Sequence, residues 1–290
     1  MRSSAPLRVL CVLACTLALA AQQPRPVTIA LIGASVTAGF TDPKPRADGE
    51  PNSTVRLAHA LRDTFAGPGV RIRDRSDLAT FLDPVGRQTR QVARLADEAP
   101  DLTIAVDFLF WFGYGRVGGD ELEARLALLE QGLALLDQVE GSILVGDFPD
   151  MRGADPRMLR ASQVPSPAAL EALNRRLAAW ASARARVRIF PLAAFVAAAK
   201  GEGIAVEHAA VRLQLGREAL LQGDGLHATR LGVALIAERI AGELRELLPA
   251  EHPARPTGQT LADFAASTGA GLLLDELAAA AQPEPVGGGK

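Results

Sequence analysis

A serine in a turn of small residues and an Asp–His pair near the far end of the chain have the residue types and spacing for chemistry. Ser35 stands in Gly33-Ala34-Ser35-Val36-Thr37-Ala38-Gly39-Phe40, directly after the apolar run from Val27 to Ile32. A nucleophile needs an exposed hydroxyl on a rigid support with backbone N–H groups nearby, and a turn leaving a strand supplies that. The same Gly-x-Ser pattern also serves simply to cap a following helix. Gly223-Asp224-Gly225-Leu226-His227 enters the last long amphipathic stretch. An imidazole whose tautomer is fixed by a carboxylate is what a serine hydroxyl requires to lose its proton. An aspartate N-cap followed by an exposed histidine is the structural alternative for that segment. Gly86 precedes a helical stretch, and its backbone N–H could approach a substrate oxygen without side-chain interference. Taken alone, it is a loop glycine.

The surrounding pattern says what must position these residues. Short apolar runs (Val27 to Ile32, Val70 to Ile72, Leu102 to Phe110, Ser142 to Val145, Val187 to Phe190) alternate with longer amphipathic ones. The helical stretches run from Ser53 to Phe65, with Ser53 or Thr54 as cap, then Gln88 to Ala96, Asp120 to Val139, Ser166 to Ala183 and Thr229 to Leu248. Ser166-Pro167 is a helix-start signal. Apolar strands alternating with helices predict a parallel sheet covered on both faces, a three-layer α/β/α sandwich. Ligands in such sheets collect at the carboxyl ends of strands, and Ser35 lies just past the first one.

These features together resemble the SGNH/GDSL hydrolase superfamily over about residues 27–248. GASVTAGF looks like the family's first block, Val85-Gly86-Arg87-Gln88-Thr89 like its second, and Asp224-Gly225-Leu226-His227 like the Asp-x-x-His of its fifth. The resemblance implies a flavodoxin-like α/β fold, no cofactor, Ser35 as nucleophile, His227 as base oriented by Asp224, and an oxyanion site from the N–H groups of Ser35 and Gly86. The third block departs from the family. Its usual Gly-x-Asn-Asp turn supplies an oxyanion-binding Asn, whereas this chain reads Val106-Asp107-Phe108-Leu109-Phe110-Trp111-Phe112-Gly113-Tyr114-Gly115, with Phe110 or Trp111 near the Asn position. The chain's two asparagines, Asn52 in a polar loop and Asn174 within a helical stretch, are not obvious substitutes. Losing one such donor costs about 100- to 1000-fold in turnover. The Tyr114 hydroxyl or the Trp111 indole N–H is a candidate replacement. Phe108, Phe110 and Phe112 read as alternating core residues of a strand, or, with Phe110, Trp111 and Tyr114, as an apolar wall around an acyl or ring-shaped substrate. Asp107 and Asp147 read as structural groups that bind neighbouring loop amides.

Composition narrows the function classes. The 290 residues are 48% hydrophobic and 22% charged, an ordinary globular balance. A formal net charge of −2 argues against nucleic acid as a partner. The first twenty residues read as an export signal: Arg2 and Arg8, an apolar run from Val9 to Ala20, and Ala18-Leu19-Ala20 as cleavage site. Twelve apolar residues are too few for a stable membrane span, where about 20 are needed. Val12-Leu13-Ala14-Cys15 also resembles a lipobox, the alternative route of processing. Both cysteines, Cys11 and Cys15, lie in this segment, so its removal leaves no disulfide, Cys nucleophile or thiolate metal site. His59, His208, His227 and His252 lack metal-ligand spacing, so no metal is expected. Three parts are thus expected: a signal over residues 1–20, an α/β domain over 21–250, and an appendage over 251–290 with two short helices between Leu261 and Ala281 and a disordered tail from Gln282. The reading is an exported or periplasmic serine esterase acting on small-molecule, polysaccharide or lipid esters. A non-catalytic binding protein of the same fold is the alternative.

Overall fold

The computed structural model describes residues 26–45, Gly49, 51–65 and 69–282. The segment expected to be an export signal, with Cys11 and Cys15, and the tail beyond Gln282 lie outside the described residues. Five parallel strands form the central sheet: β1 (Val27–Leu31), β2 (Val70–Asp74), β3 (Leu102–Ala105), β4 (Ser142–Gly146) and β5 (Val187–Phe190), in the order β2-β1-β3-β4-β5. Successive strand side chains point to opposite faces. Ile29, Leu31, Ile104 and Leu144 accordingly enter one core cluster, and Ala30, Ala105, Ile143 and Val145 the other. Strand β2, at the edge, alternates half-buried with exposed residues.

Helices cover both faces, giving the expected three-layer α/β/α sandwich. On one side pack α3 (Pro84–Glu98), α5 (Glu121–Asp137) and α6 (Pro167–Ser182). On the other lie α2 (Leu57–Ala60), α7 (Leu192–Lys200) and α9 (Arg230–Leu247). Single turns complete the chain order: α1 (Ser35–Ala38), α4 (Phe110–Tyr114) and α8 (Arg217–Leu220). Asp120, Ser166 and Thr229 cap α5, α6 and α9 by accepting from backbone N–H groups in each first turn.

The elements differ from the sequence expectation in four places. The long apolar run from Leu102 stops being a strand at Ala105, and its aromatic part coils into α4. The helix expected from Ser53 to Phe65 shrinks to α2 and a short 3₁₀ turn (Asp63–Phe65), because Ser53 is committed to Arg230: its carbonyl accepts the Arg230 N–H and its hydroxyl the guanidinium. Past β5, where no further strand was expected, β6 (Ile204–His208) and β7 (Val211–Leu215) form an antiparallel hairpin. Its turn holds Ala209 and Ala210 at φ 49° and 61°, a conformation usually signalled by Asn or Gly, so the sequence carries no turn marker there. Finally, the two C-terminal helices, α10 (Leu261–Thr268) and α11 (Gly271–Ala281), are not appended to the core but part of it. Phe264, Ala265, Leu274 and Ala278 are buried in the same cluster as β1 and α9. Asp275 on α11 accepts from His208 Nε2 on β6 at 2.7 Å if that nitrogen is protonated.

Candidate active site

Strand β1 connects to β2 on one side while β3 flanks it on the other, so the carboxyl ends of β1 and β3 border the crevice where the strand order reverses. Both chains leaving these ends meet at one carboxylate. Asp107, two residues past β3 and 3% exposed, accepts from Ala34 N (3.0 Å), Val36 N (2.7 Å), Thr37 N (3.3 Å) and Thr37 Oγ1 (2.6 Å). It caps α1 from across the sheet, so Ser35 does not cap its own helix. Burial pushes the Asp107 carboxyl above its ordinary range, against the pull of the four donors. Three of the four N–H groups from Ala34 to Thr37 are thereby used, and the Ser35 N–H is left over. Neither it nor the Ser35 hydroxyl has a protein hydrogen-bond partner among the described residues, and the side chain is half-buried.

The turn is held equally firmly from α3. Gln91, 3% exposed, accepts the Gly33 N–H at 2.8 Å and donates to the Gly33 carbonyl at 3.0 Å. Gln88, one turn earlier, donates to the Phe108 carbonyl. Gly33 sits at φ +153°, and a Cβ there would come within 2.1 Å of Asp107 Oδ1, so the close approach of the carboxylate requires glycine. Sequence reasoning missed Gln88 and Gln91. The available signal was two amides on the stripe (88, 91, 92, 95) that α3 turns inward.

His227 and Asp224 lie on the loop before α9, both buried. His227 Nδ1 is 2.6 Å from Asp224 Oδ2, while Asp224 Oδ1 accepts the N–H groups of Leu226 (2.9 Å) and His227 (3.0 Å). Burial alone would raise the Asp224 carboxyl, but the bond and charge of His227 and the two backbone donors outweigh it, and the net shift is downward. An ionised Asp224 keeps the proton of a neutral imidazole on Nδ1 and leaves Nε2 as a base.

This loop is clamped to the segment that follows Ser35. Gln222 accepts the Asp42 N–H (2.8 Å) and donates to the carbonyls of Phe40 and Ala228 (2.7 and 2.8 Å). Asn52 accepts the Gly223 N–H at 3.4 Å and donates to the Lys44 carbonyl at 2.6 Å. The His227 ring packs on Phe40 with 4.3 Å between centroids, and the Phe40 N–H donates to the Ser35 carbonyl at 3.2 Å. Phe40 therefore touches both residues, Ser35 through its backbone and His227 through its ring, and no hydrogen bond joins the Ser35 and His227 side chains. Such bonds are often long in unliganded sites.

Other expected contributors are placed elsewhere. Gly86 lies inside the first turn of α3, where its N–H donates to the capping Asp83 carboxylate at 3.0 Å, so it is not free for an oxyanion. Tyr114 is fully buried, and its hydroxyl donates to the Pro149 carbonyl and accepts the Met151 N–H (3.1 Å). That hydroxyl supports the loop after β4 and faces no crevice. Phe110 stacks on Tyr114 at 4.3 Å. Trp111, together with Phe81 and Phe112, lines a cavity of about 570 Å³, and its indole N–H has no protein acceptor among the described residues. Asn174 binds the N–H and carbonyl of Phe148. Asp147 accepts the Ala193 N–H at 2.6 Å. Among the described residues no cluster of three or more His, Cys, Asp or Glu side chains is placed to hold a metal ion, and no helix is long and apolar enough to cross a membrane.

No protein-family model and no curated protein sequence matches the chain. Solved structures do. A lipase/acylhydrolase from Enterococcus faecalis superposes with a TM-score of 0.51 and 18% identity, over 78% of this chain and 99% of that one. A GDSL-like lipase from Bacteroides thetaiotaomicron gives 0.48 at 16% identity, over 82% and 98% of the two chains. An acylhydrolase from Bacteroides fragilis gives 0.47 at 15%, over 78% and 90%. At 18% identity the first of these establishes a shared fold, the α/β fold that the SGNH resemblance implies.

Proposed function

We propose that this chain, which has the SGNH-type α/β fold, is a serine ester hydrolase with Ser35 as nucleophile, His227 as general base and Asp224 as the group that orients it. One arrangement carries the reading: a buried Asp224–His227 pair, clamped beside a turn whose remaining free N–H and hydroxyl both belong to Ser35. In the reaction the Ser35 Oγ–H proton passes to His227 Nε2 as Oγ bonds to the ester carbonyl carbon. The Ser35 N–H donates to the oxyanion. The C–O bond to the alcohol then breaks, His227 returns the proton to the leaving oxygen, and an acyl-Ser35 remains. Water, deprotonated by His227, attacks the acyl carbon, the bond from that carbon to Ser35 Oγ breaks, and His227 returns the proton to Oγ as the acid leaves.

Esters of polysaccharides or lipids outside the cytoplasm fit the export signal, whose use is tested by the N-terminal sequence of the secreted or periplasmic protein. Residues near Ala20, or a lipidated Cys15, would distinguish the two processing routes. Activity is tested on p-nitrophenyl acetate and butyrate. Wild type should turn both over, and Ser35→Ala should lose all activity with its fold intact. A fluorophosphonate should label Ser35.

One observation favours a second reading, a binding protein of the same fold. With Gly86 engaged by Asp83 and Phe110 or Trp111 expected near the Asn position, the oxyanion side retains a single evident donor, the Ser35 N–H. Well-folded protein that neither hydrolyses esters nor takes the fluorophosphonate would establish that reading.

A further inference from the structure

The 570 Å³ cavity is not lined by Ser35, Asp224 or His227, but one of its walls abuts the Ser35 turn. Its outer wall is the 3₁₀ turn Leu78–Leu82, which packs against α1 and is tied to it where the Asp77 N–H donates to the Gly33 carbonyl at 3.0 Å. The size is that of a small-ligand pocket. Part of the lining is apolar, with Phe81, Leu82, Val85, Trp111, Leu128 and Met158 among its residues. Its charged lining residues are Arg116, Arg157 and Arg160, with no Asp or Glu, in a chain whose formal net charge is −2.

The three arginines are not equivalent. Arg157 is neutralised by Asp155 (2.8 Å) and Asp42 (3.4 Å), so it belongs to the scaffold that holds the 151–163 loop. Arg116 and Arg160 are exposed, and neither guanidinium forms an ion pair or hydrogen bond with protein among the described residues. Arg116 follows the far end of α4. That turn is fixed by the buried Arg125, which donates to the Gly113 and Gly115 carbonyls. Arg160 follows Met158 on the facing loop. A partly apolar cavity, one wall of which packs on the Ser35 turn, therefore has two uncompensated guanidinium groups in its lining, each with the planar fork that suits a carboxylate.

We propose that this cavity selects esters whose bound part is an apolar chain ending in an anionic group, the apolar stretch lying along Phe81, Trp111 and Leu128 and the anion meeting Arg116 and Arg160. The inference deepens the hydrolase reading and rests on it for turnover, while the binding preference is independent of catalysis.

Two measurements separate the inferences. Calorimetric titration with octanoate and with octanamide compares an anionic chain with a neutral chain of the same length. Octanoate binds the wild-type protein about tenfold more tightly, the preference shrinks as salt is raised, and Arg116→Gln/Arg160→Gln abolishes it. Exposed ion pairs contribute about 0.2–1 kcal/mol each, a factor of about 1.4 to 5 per arginine. In the second measurement, the p-nitrophenyl monoester of adipic acid is compared with p-nitrophenyl hexanoate. The ratio of their kcat/KM values falls about tenfold in the double variant, through KM rather than kcat. Equal binding of octanoate and octanamide, no binding of either to folded protein, or a preference unchanged by the double variant overturns the proposal. Failure of both esters to turn over while octanoate selectivity persists overturns the hydrolase reading and leaves the anion-selective cavity standing.

Discussion

Replacing Asp224 by Asn tests the proposed charge arrangement without changing its shape. The carboxylate has two distinct duties: Oδ1 accepts two buried backbone N–H groups, from Leu226 and His227, and Oδ2 accepts from the imidazole. An amide can do only one. With its oxygen kept on the two N–H groups, its NH₂ faces His227 Nδ1 and turns that nitrogen into an acceptor. The imidazole proton then sits on Nε2, and the base is lost. If the amide flips, the tautomer survives but two buried N–H groups face an NH₂. Each unsatisfied donor costs about 1–3 kcal/mol, so the flipped state lies about 2–6 kcal/mol higher and is populated at about one part in 30 to one part in 25,000. The kcat of Asp224→Asn on p-nitrophenyl butyrate should fall by a factor in that range, with KM little changed. Circular dichroism and the urea midpoint establish that the variant is folded. A folded Asp224→Asn keeping more than a third of wild-type kcat would refute the assignment of Asp224 as the orienting group.

Three further outcomes follow from the same geometry. Gly33→Ala places a Cβ 2.1 Å from Asp107 Oδ1 and 2.7 Å from Thr37 Oγ1, so the urea midpoint should drop by the equivalent of about 1–3 kcal/mol; an unchanged midpoint would show that the Asp107 clamp yields freely. Phe264→Ala, at a side chain 1% exposed in the main core, should cost about 3–5 kcal/mol in urea unfolding, whereas a loosely attached C-terminal segment would cost nothing. The lowered carboxyl of Asp224 means that the folded protein binds its proton less readily than the unfolded chain does. Its stabilisation is therefore complete above its ordinary value near pH 4 and is lost as pH falls through the lower folded value. The stability difference between wild type and Asp224→Asn should shrink between pH 5.5 and pH 3, and a constant difference would contradict the shift.

The two halves of the site differ in how far they could be read from sequence. Asp224 and His227 are three residues apart, so a local loop sets their contact, although on that spacing alone an aspartate cap with an exposed histidine was the alternative. Ser35 was legible for a related reason, since a strand followed by small residues makes a turn wherever the chain goes next. The α/β alternation fixed the layers too, because apolar strands need cover on both faces.

Tertiary structure decided which N–H groups are free, and that depends on contacts far apart in the chain. Asp107 reaches across 70 to 73 residues to take three amides of the Ser35 turn, and Gln91 reaches across 58 to hold Gly33. Gly86 shows the converse. Its N–H is taken by Asp83, the cap three residues earlier, a local contact that the Asp83-Pro84 helix-start pattern could have signalled. The C-terminal helices were legible as helices but not as core, because their apolar faces acquire partners only when α9 and the hairpin are in place. A sequence states which groups can donate or accept; only the packed chain determines which are already spoken for.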